Sequence, residues 1–490
     1  MVDTVFESLF NPRSVAVIGA SNTFGKWGFN IFNRVLASAD GRRVFPVNAE
    51  ASEVVGIKAY KRVTEIPEPV ELAVVTIPPQ YVLDAVRDCV EKRVKVIEII
   101  TAGFGEAGAE GAEAEREAVA IARRGGVRVV GPNSMGHLNT HADFYTTPWI
   151  TGLPTGGVGL ISQSGNFGIN IVRRGTALGI GFSKFISSGN EADLTFEDYL
   201  EYFAADPQTK VIAAYVEGLR QGRRFLTVAR KATRRKPVII LKAGRTHAGA
   251  RAARSHTAAL AGEDQIYNAA FKQTGVIRVN EVDEILDAAG ALIRQPLPRG
   301  RRVAILTGGG GPGVIAADAC ARAGLELADL QPETIAKLDR ILPPRWPRGN
   351  PVDMVGETNL TYPCLLPLIE DENVDAVFSL AVGFADAIRT IIMDYVKPEL
   401  QDQVNTYIKL EEQKEIEALN KLIQRMDALG KPVFLFPPSG IEDFGTMRHL
   451  RENGILTYAS IERGARVLAH LADYADYLRD LTAEQPHEPE

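Results

Sequence analysis

One pattern written three times constrains this chain most: a short β-branched run, then small residues, then a helical segment. Val15 to Ile18 leads into Gly19-Ala20-Ser21 and an amphipathic stretch near 27–37. Val158 to Ile161 leads into Ser162-Gln163-Ser164-Gly165 and a helix over 166–178. Arg302 to Leu306 leads into Thr307-Gly308-Gly309-Gly310-Gly311-Pro312-Gly313 and a helix to about residue 323. Further strands at Leu72 to Ile77, Val94 to Ile100, Val127 to Val130, Val211 to Val216 and Val238 to Leu241 alternate with helical spacing, as in Val82, Ala85, Val86, Cys89 and Val90. Strands alternating with helices predict an α/β fold of parallel sheets covered by helices.

With 490 residues, one core is too few, and length alone suggests about three domains. The prolines of Gln295-Pro296-Leu297-Pro298-Arg299-Gly300 break helix and sheet alike and mark a linker. The expected divisions are 1–145, 146–296 and 297–484, with a charged two-helix insertion at about 386–428 and a tail over 485–490.

A strand that turns through small residues into a helix leaves free N–H groups at the positive end of the helix dipole, a setting that favours phosphate. The first turn, Gly19 to Gly28, is not G-x-G-x-x-G. The strand after it ends at Pro46-Val47-Asn48, where a nicotinamide dinucleotide site usually places an acid. Glu50 leaves that cofactor open, but Lys26 inside the turn suits a phosphate-rich ligand better. In the third turn Pro312 falls near the first helical position, where it is tolerated, and four successive glycines allow close approach of a ligand.

His256 has the most informative surroundings of the seven histidines, in Arg254-Ser255-His256-Thr257-Ala258-Ala259. Residues 243–261 show little apolar periodicity and read as a long loop, a usual place for function or disorder. Neutral imidazole is a nucleophile near neutral pH, and a carboxylate on its other nitrogen fixes the tautomer. Glu217, at the carboxyl end of Val211 to Val216, is the best partner. His137 and His141 lie four apart in a segment without helical pattern, which argues against a metal pair. Cys89, Cys320 and Cys364 have no metal-ligand spacing, and Cys89 and Cys320 fall on apolar stripes. No metal site is expected.

Lysine and arginine number 55 against 61 acidic residues, a net charge of −6, so neither a nucleic-acid nor an anionic-membrane partner is indicated. The run Lys231, Arg234, Arg235, Lys236 reads as a solvated helix end. The opening MVDTVFESLF lacks the features of a signal peptide, and no apolar run is long enough to span a bilayer, so a cytoplasmic location is expected.

The motifs together resemble a known family. Gly19-Ala20-Ser21 with Gly25-Lys26-x-Gly28, Phe45-Pro46-Val47-Asn48, Thr101-Ala102-Gly103-Phe104-Gly105-Glu106, Gly131-Pro132-Asn133, Ser162-Gln163-Ser164-Gly165, Val216-Glu217-Gly218, Ser255-His256-Thr257 and Asn350-Pro351-Val352-Asp353 stand in the order of the ADP-forming acyl-CoA synthetases, relatives of succinyl-CoA synthetase. The resemblance runs from residue 8 to about 470, outside the insertion. It implies a Rossmann-like CoA-binding domain followed by two flavodoxin-like domains, and the reaction of acid, CoA and ATP to acyl-CoA, ADP and phosphate through an acyl phosphate and a phosphohistidine. By similarity His256 is the phosphoryl carrier and Glu217 its carboxylate. Ser164 and Gly165, with Gly310, Gly311 and Gly313, open the two helices that hold the phosphate. Gly19, Ala20, Ser21, Gly25, Lys26, Val47, Asn48, Ile77 and Pro78 are the implied CoA contacts, and Asn133 and Ser134 the implied acyl site.

The family pattern departs at Ala49-Glu50, where proline usually follows, and at Ser134, where cysteine is frequent. No ATP-grasp pattern is found. The resemblance therefore implies an ATP-grasp β subunit holding Mg-ATP, in an α2β2 assembly, with a small carboxylic acid and CoA as substrates. A CoA- or acyl-CoA-sensing regulator of the same fold is the alternative; it would need neither His256 nor Glu217.

Overall fold

The β-branched runs form strands because they are buried on both faces, and in the computed structural model most are followed by a helix that covers the sheet. The structure describes residues 2–38, 41–246, 248–249, 264–437, 445–453 and 455–483. Two compact units are present, residues 1–285 and 286–490.

The first unit carries two principal sheets. One contains β1 (Ser14–Ile18), β2 (Arg43–Val47), β5 (Leu72–Val75), β6 (Val96–Ile99) and β7 (Arg128–Val130), all parallel, in the order β2-β1-β5-β6-β7. A small hairpin, β3 (Glu53–Val54) and β4 (Ile57–Lys58), follows β2. The other sheet contains β8 (His137–Asn139), β9 (Phe144–Tyr145), β10 (Thr155–Ser162), β11 (Phe182–Ser187), β12 (Val211–Val216), β13 (Val238–Lys242) and β14 (Ile277–Val279), in the order β14-β13-β12-β10-β11-β8-β9. β8 runs antiparallel to β11 and β9 antiparallel to β8.

Two expectations need correction here. Residues 137–145 pair with the second sheet, so the division at 145 cuts through it. The two sheets also share a core: Phe6, Leu9 and Phe10 of the helix Val2–Phe10 are fully buried with Tyr199 and Phe203 of the helix Phe196–Ala205. Phe6 and Phe10 stack on Tyr202, with centroids 4.5 and 5.4 Å apart. An amphipathic helix buries its stripe wherever a complementary face lies, and sequence distance does not limit that choice.

His137 is part of this core. Its Nδ1 lies 3.0 Å from Glu98 Oε1 on β6 and its Nε2 2.8 Å from the Leu9 carbonyl. His141 Nε2 meets the Gly156 carbonyl instead, so the two histidines do not converge. Among the described residues no group of side chains could hold a metal ion, and no helix is long and apolar enough to cross a membrane. All three cysteines are buried; burial pushes the Cys320 and Cys364 thiols up to about 12.

Another expectation fails at Lys236. Its ammonium donates to the Phe203 carbonyl at 2.9 Å and to that of Asp206, and burial lowers its pKa. The helix Gly222–Thr233 ends before it, so this lysine ties a loop down where a solvated helix end was expected.

The second unit is built on β15 (Arg302–Thr307), β16 (Glu326–Leu327), β18 (Ala376–Ser379) and β19 (Val433–Leu435) in the order β16-β15-β18-β19, with β17 (Val352–Asp353) also on β15, all parallel. The insertion forms the helices Phe384–Ile392 and Gln401–Leu429. Glu415 of the longer helix caps the shorter, accepting the Phe384 and Ala385 N–H groups at 2.8 and 3.3 Å.

Replacing His137 by alanine leaves the Glu98 carboxylate buried without its nearest partner. The expected cost is about 3–5 kcal/mol, read as a lowered urea midpoint; a loss below about 1 kcal/mol would mean the contact adds nothing to the shared core.

Candidate active site

β1 runs out at Ile18, and Gly19 takes a φ of +97°. A side chain there would press on Thr76 Oγ1 and Ile77, and a Cβ at Gly28 would overlap the Gly19 carbonyl. The helix Trp27–Ala37 can start this near the sheet only because both positions are glycine. Lys26 is its N-cap, without a side-chain cap, and the first turn holds no acid.

A cavity of about 610 Å³ opens at this turn. Gly19, Ser21, Gly25 and Lys26 line it, as do Asn48, Ile77 and Pro78 from neighbouring strand ends and Asn133 and Ser134 from the loop after β7. Ala20 and Val47 belong to the core instead, 0% and 4% exposed. The Asn48 amide donates to the Ala20 carbonyl at 2.8 Å, and its oxygen accepts the Glu50 and Ala51 N–H groups at 2.9 and 2.8 Å. Asn48 thus shapes the turn. Ser134 turns its hydroxyl inward, to the Ser187 carbonyl at 2.8 Å.

Sequence reasoning does not single out Trp27, Ile100 or Met135, which also line the cavity. Thr101 and Ala102, which open the motif Thr101 to Glu106 but carry no site assignment from sequence, follow β6 at the carboxyl edge and line it too. Nothing local flags Met135. Its N–H donates to Ser187 Oγ at 3.0 Å, and its side chain lies against Gly165 so closely that a Cβ at Gly165 would overlap it.

Gly165 begins the second turn's helix, Gly165–Ala177, with Ser164 as N-cap. The first turn has neither an acidic residue nor a side-chain cap, so its N–H groups remain available to an anion. Glu217 follows β12 and is 8% exposed. Its N–H donates to Gln163 Oε1 at 2.6 Å, and its carbonyl accepts Lys242 Nζ at 2.8 Å. Carboxylate oxygen Oε2 is buried and has no hydrogen-bond partner among the described residues. The Tyr215 phenol is pushed up to about 12, by burial first and then by the Glu217 carboxylate beside it. His256 lies outside the described residues.

In the second unit the helix Gly310–Arg322 starts two residues before Pro312. Gly311 is open, with nothing within 4 Å of where a side chain would begin, whereas Gly313 packs on Thr307 and Pro351. Asp353 Oδ2 lies 3.6 Å from where a Gly310 side chain would begin. Thr307, Gly308, Gly309 and Pro312 line a second cavity, of about 560 Å³.

Glu191 is a titratable group that sequence reasoning missed. It is 2% exposed, and burial raises its carboxyl to about 7 despite hydrogen bonds from Ser188 and Gln163. The folded chain therefore keeps a proton there that an unfolded chain releases near about 4.3. That stabilisation is complete below the unfolded value and is lost as pH rises through the folded one.

Glycine turns shaped for phosphate at the carboxyl edges of parallel sheets suit a CoA-dependent ligase, and comparison with known proteins agrees. A CoA binding domain matches residues 13–140, a succinyl-CoA ligase like flavodoxin domain residues 155–292, and a ligase-CoA domain residues 303–416. The chain is 44% identical over 456 residues to the ADP-forming acetate–CoA ligase II subunit alpha of Pyrococcus furiosus, covering 93% of this chain and 94% of that one. It is 37% identical to the ADP-forming acetate–CoA ligase of Methanocaldococcus jannaschii, covering 96% of this chain and 65% of that one. The solved dinucleotide-forming acetyl-coenzyme A synthetase 1 of Candidatus Korarchaeum cryptofilum, in complex with phosphate and ADP, matches with a TM-score of 0.85 at 33% identity, over 99% of this chain and 100% of that one. The chain belongs to the ADP-forming acyl-CoA synthetase family, among its α subunits. It is a CoA-binding ligase component, and the enzymatic reading stands over that of a CoA-sensing regulator.

Glu191→Gln carries no charge at any pH. It should gain on the wild type between about pH 5 and about pH 8, by on the order of a few kcal/mol. Parallel urea-unfolding profiles for the two proteins across that range would contradict this.

Proposed function

We propose that this chain is the phosphohistidine-bearing subunit, with His256 carrying the phosphoryl group between nucleotide and acid. The observation that carries this reading is the buried Oε2 of Glu217 at the end of β12, which has no hydrogen-bond partner among the described residues. A buried carboxylate oxygen without a donor is costly, and an imidazole N–H from His256 would satisfy it. With one ring nitrogen held so, the other is free to attack the γ-phosphorus of ATP, and ADP leaves. A substrate carboxylate then takes the phosphoryl group from His256, giving an acyl phosphate and freeing the imidazole. The CoA thiol attacks the acyl carbon, and phosphate departs.

Phosphohistidine bears close to two negative charges. The uncapped helix start at Ser164-Gly165 offers N–H groups for them. The helix start at Gly310-Gly311 in the second unit is uncapped too, and Gly313, packed on Pro351, shapes it. Lys26 would neutralise phosphate of CoA in the cavity it lines, and Asn133 and Ser134 border the acyl end. ATP would arrive as Mg-ATP on an ATP-grasp β subunit, in an α2β2 assembly in the cytoplasm. The subunit names of the Pyrococcus furiosus relatives support a partner chain.

Incubation with acetyl-CoA and radiolabelled phosphate, or with labelled ATP and the β subunit, should put acid-labile label on the wild type. His256→Asn should take none; a variant that labels like the parent would remove His256 from the mechanism. Glu217→Gln should slow labelling by about tenfold to a hundredfold. Lys26→Ala should weaken CoA binding about tenfold, or ~1.4 kcal/mol, in calorimetry. The loss should shrink at high salt because an exposed charge is screened.

A further inference from the structure

The loop after β11 touches two of the turns that shape the first unit's site. The Ser188 N–H donates to the Ser162 carbonyl at 2.9 Å, that of Asn190 to Pro132 at 2.9 Å, and that of Ala192 to Gly131 at 3.1 Å. One stretch therefore braces both the turn before the Gly165 helix and the turn that carries Asn133. The Asn190 amide also donates to Glu106 at 2.5 Å and to Glu115 at 2.8 Å, and Arg220 donates to the Asn190 carbonyl at 2.5 Å.

Glu191 sits in the middle of that stretch at a φ of +53°, a left-handed conformation uncommon outside glycine. Its Oε1 accepts the Ser188 hydroxyl at 2.7 Å, and the Gln163 side chain and the Phe196 N–H also face its carboxylate. Gln163 clamps the main chain after β12: Oε1 accepts the Glu217 and Gly218 N–H groups at 2.6 and 3.0 Å, and Nε2 donates to the Gly218 carbonyl at 2.8 Å. The clamp works only with Oε1 toward those two donors. A carboxylate, which can only accept, holds the amide that way round by drawing its NH₂.

We propose that Glu191 is a positioning residue for phosphoryl transfer: its carboxylate orients Gln163, which holds the backbone at Glu217 and so aims the Glu217 carboxylate. This rests on the reading of Glu217 and His256 given above. A protonated Glu191 no longer demands a donor from Gln163, so the clamp loosens as pH falls, in addition to protonation of the imidazole itself. The other groups facing this cluster are Glu197 and Tyr199 of the helix Phe196–Ala205, Glu217 beyond Gln163, and Glu106, Glu115 and Arg220 beyond Asn190. Glu197 adds a like charge that raises the Glu191 carboxyl further.

The test compares wild type, Glu191→Gln and Glu191→Ala as full chains. Histidine labelling from acetyl-CoA and radiolabelled phosphate is followed from about pH 6 to about pH 8, with CoA affinity measured in parallel. Glutamine keeps the acceptor without the titration. Its variant should label within about threefold of wild type at the upper pH, with the acidic limb reduced from two protons to one. The alanine variant, binding CoA normally, should label about tenfold to a hundredfold more slowly. Wild-type labelling by the alanine variant, or a two-proton limb kept by the glutamine variant, overturns the proposal. Should the alanine variant fail to bind CoA, the acidic limb of the glutamine variant decides alone. A wild type that takes no label removes the His256 reading, and Glu191 with it; equal labelling of wild type and alanine variant removes Glu191 alone.

Discussion

Met135 lies against Gly165 with no room for a side chain between them, and the site in the first unit depends on that contact. It makes the wall of the cavity at the first glycine turn and the first residue of the Gly165–Ala177 helix a single surface. A thiol ester in the cavity and a phosphate at the helix start would then be neighbours, as an acyl phosphate intermediate requires. Any larger residue at position 165 would push the helix off Met135 and separate the two, and small displacements cost heavily in group transfer.

Around that contact the polar side chains serve mostly to hold turns. Asn48 ties the first glycine turn to the end of β2, Ser134 and Ser187 tie the loop after β7 to β11, and Gln163 ties the second turn to β12. Each satisfies backbone groups that a strand leaves open when it stops at the carboxyl edge of a sheet. Glu217 leaves one buried carboxylate oxygen without a partner among the described residues, as do Glu98, Glu197 and Asp386. Of these four, Glu217 is the one that directly follows a strand at the carboxyl edge of a parallel sheet, where such folds place their sites. The buried carboxyl of Glu191 is held by hydrogen bonds and has no cation among the causes that shift it.

The glycines of the turns do two different jobs. Gly19, Gly28 and Gly165 are fixed by close approach of backbone or side chain. In the Gly308–Gly311 run, Gly309 and Gly311 meet nothing, so their small size is not needed for packing; open backbone at a helix start is what an anion needs. Gly313 in the same motif is a packing residue, and sequence gives no means of telling it from its neighbours.

Sequence alone determined the strands that open into the three turns, several of their neighbours and the residues at the turns, because strand periodicity, helix spacing and the steric needs of glycine are local properties; β11, β14, β18 and β19 it did not mark. It also pointed to Lys26, Ser164, Gly165 and Glu217 at strand ends, where parallel sheets place their sites. Tertiary structure decided the rest. Met135 meets Gly165 across 30 positions and His137 meets Glu98 across 39. β8 and β9 join the second sheet, and Gln163 meets the backbone of Glu217 across 54 positions. Each of these depends on which surfaces meet when separate segments pack. That outcome is set by shape and by unsatisfied polar groups brought together from far along the chain, and no local pattern encodes it.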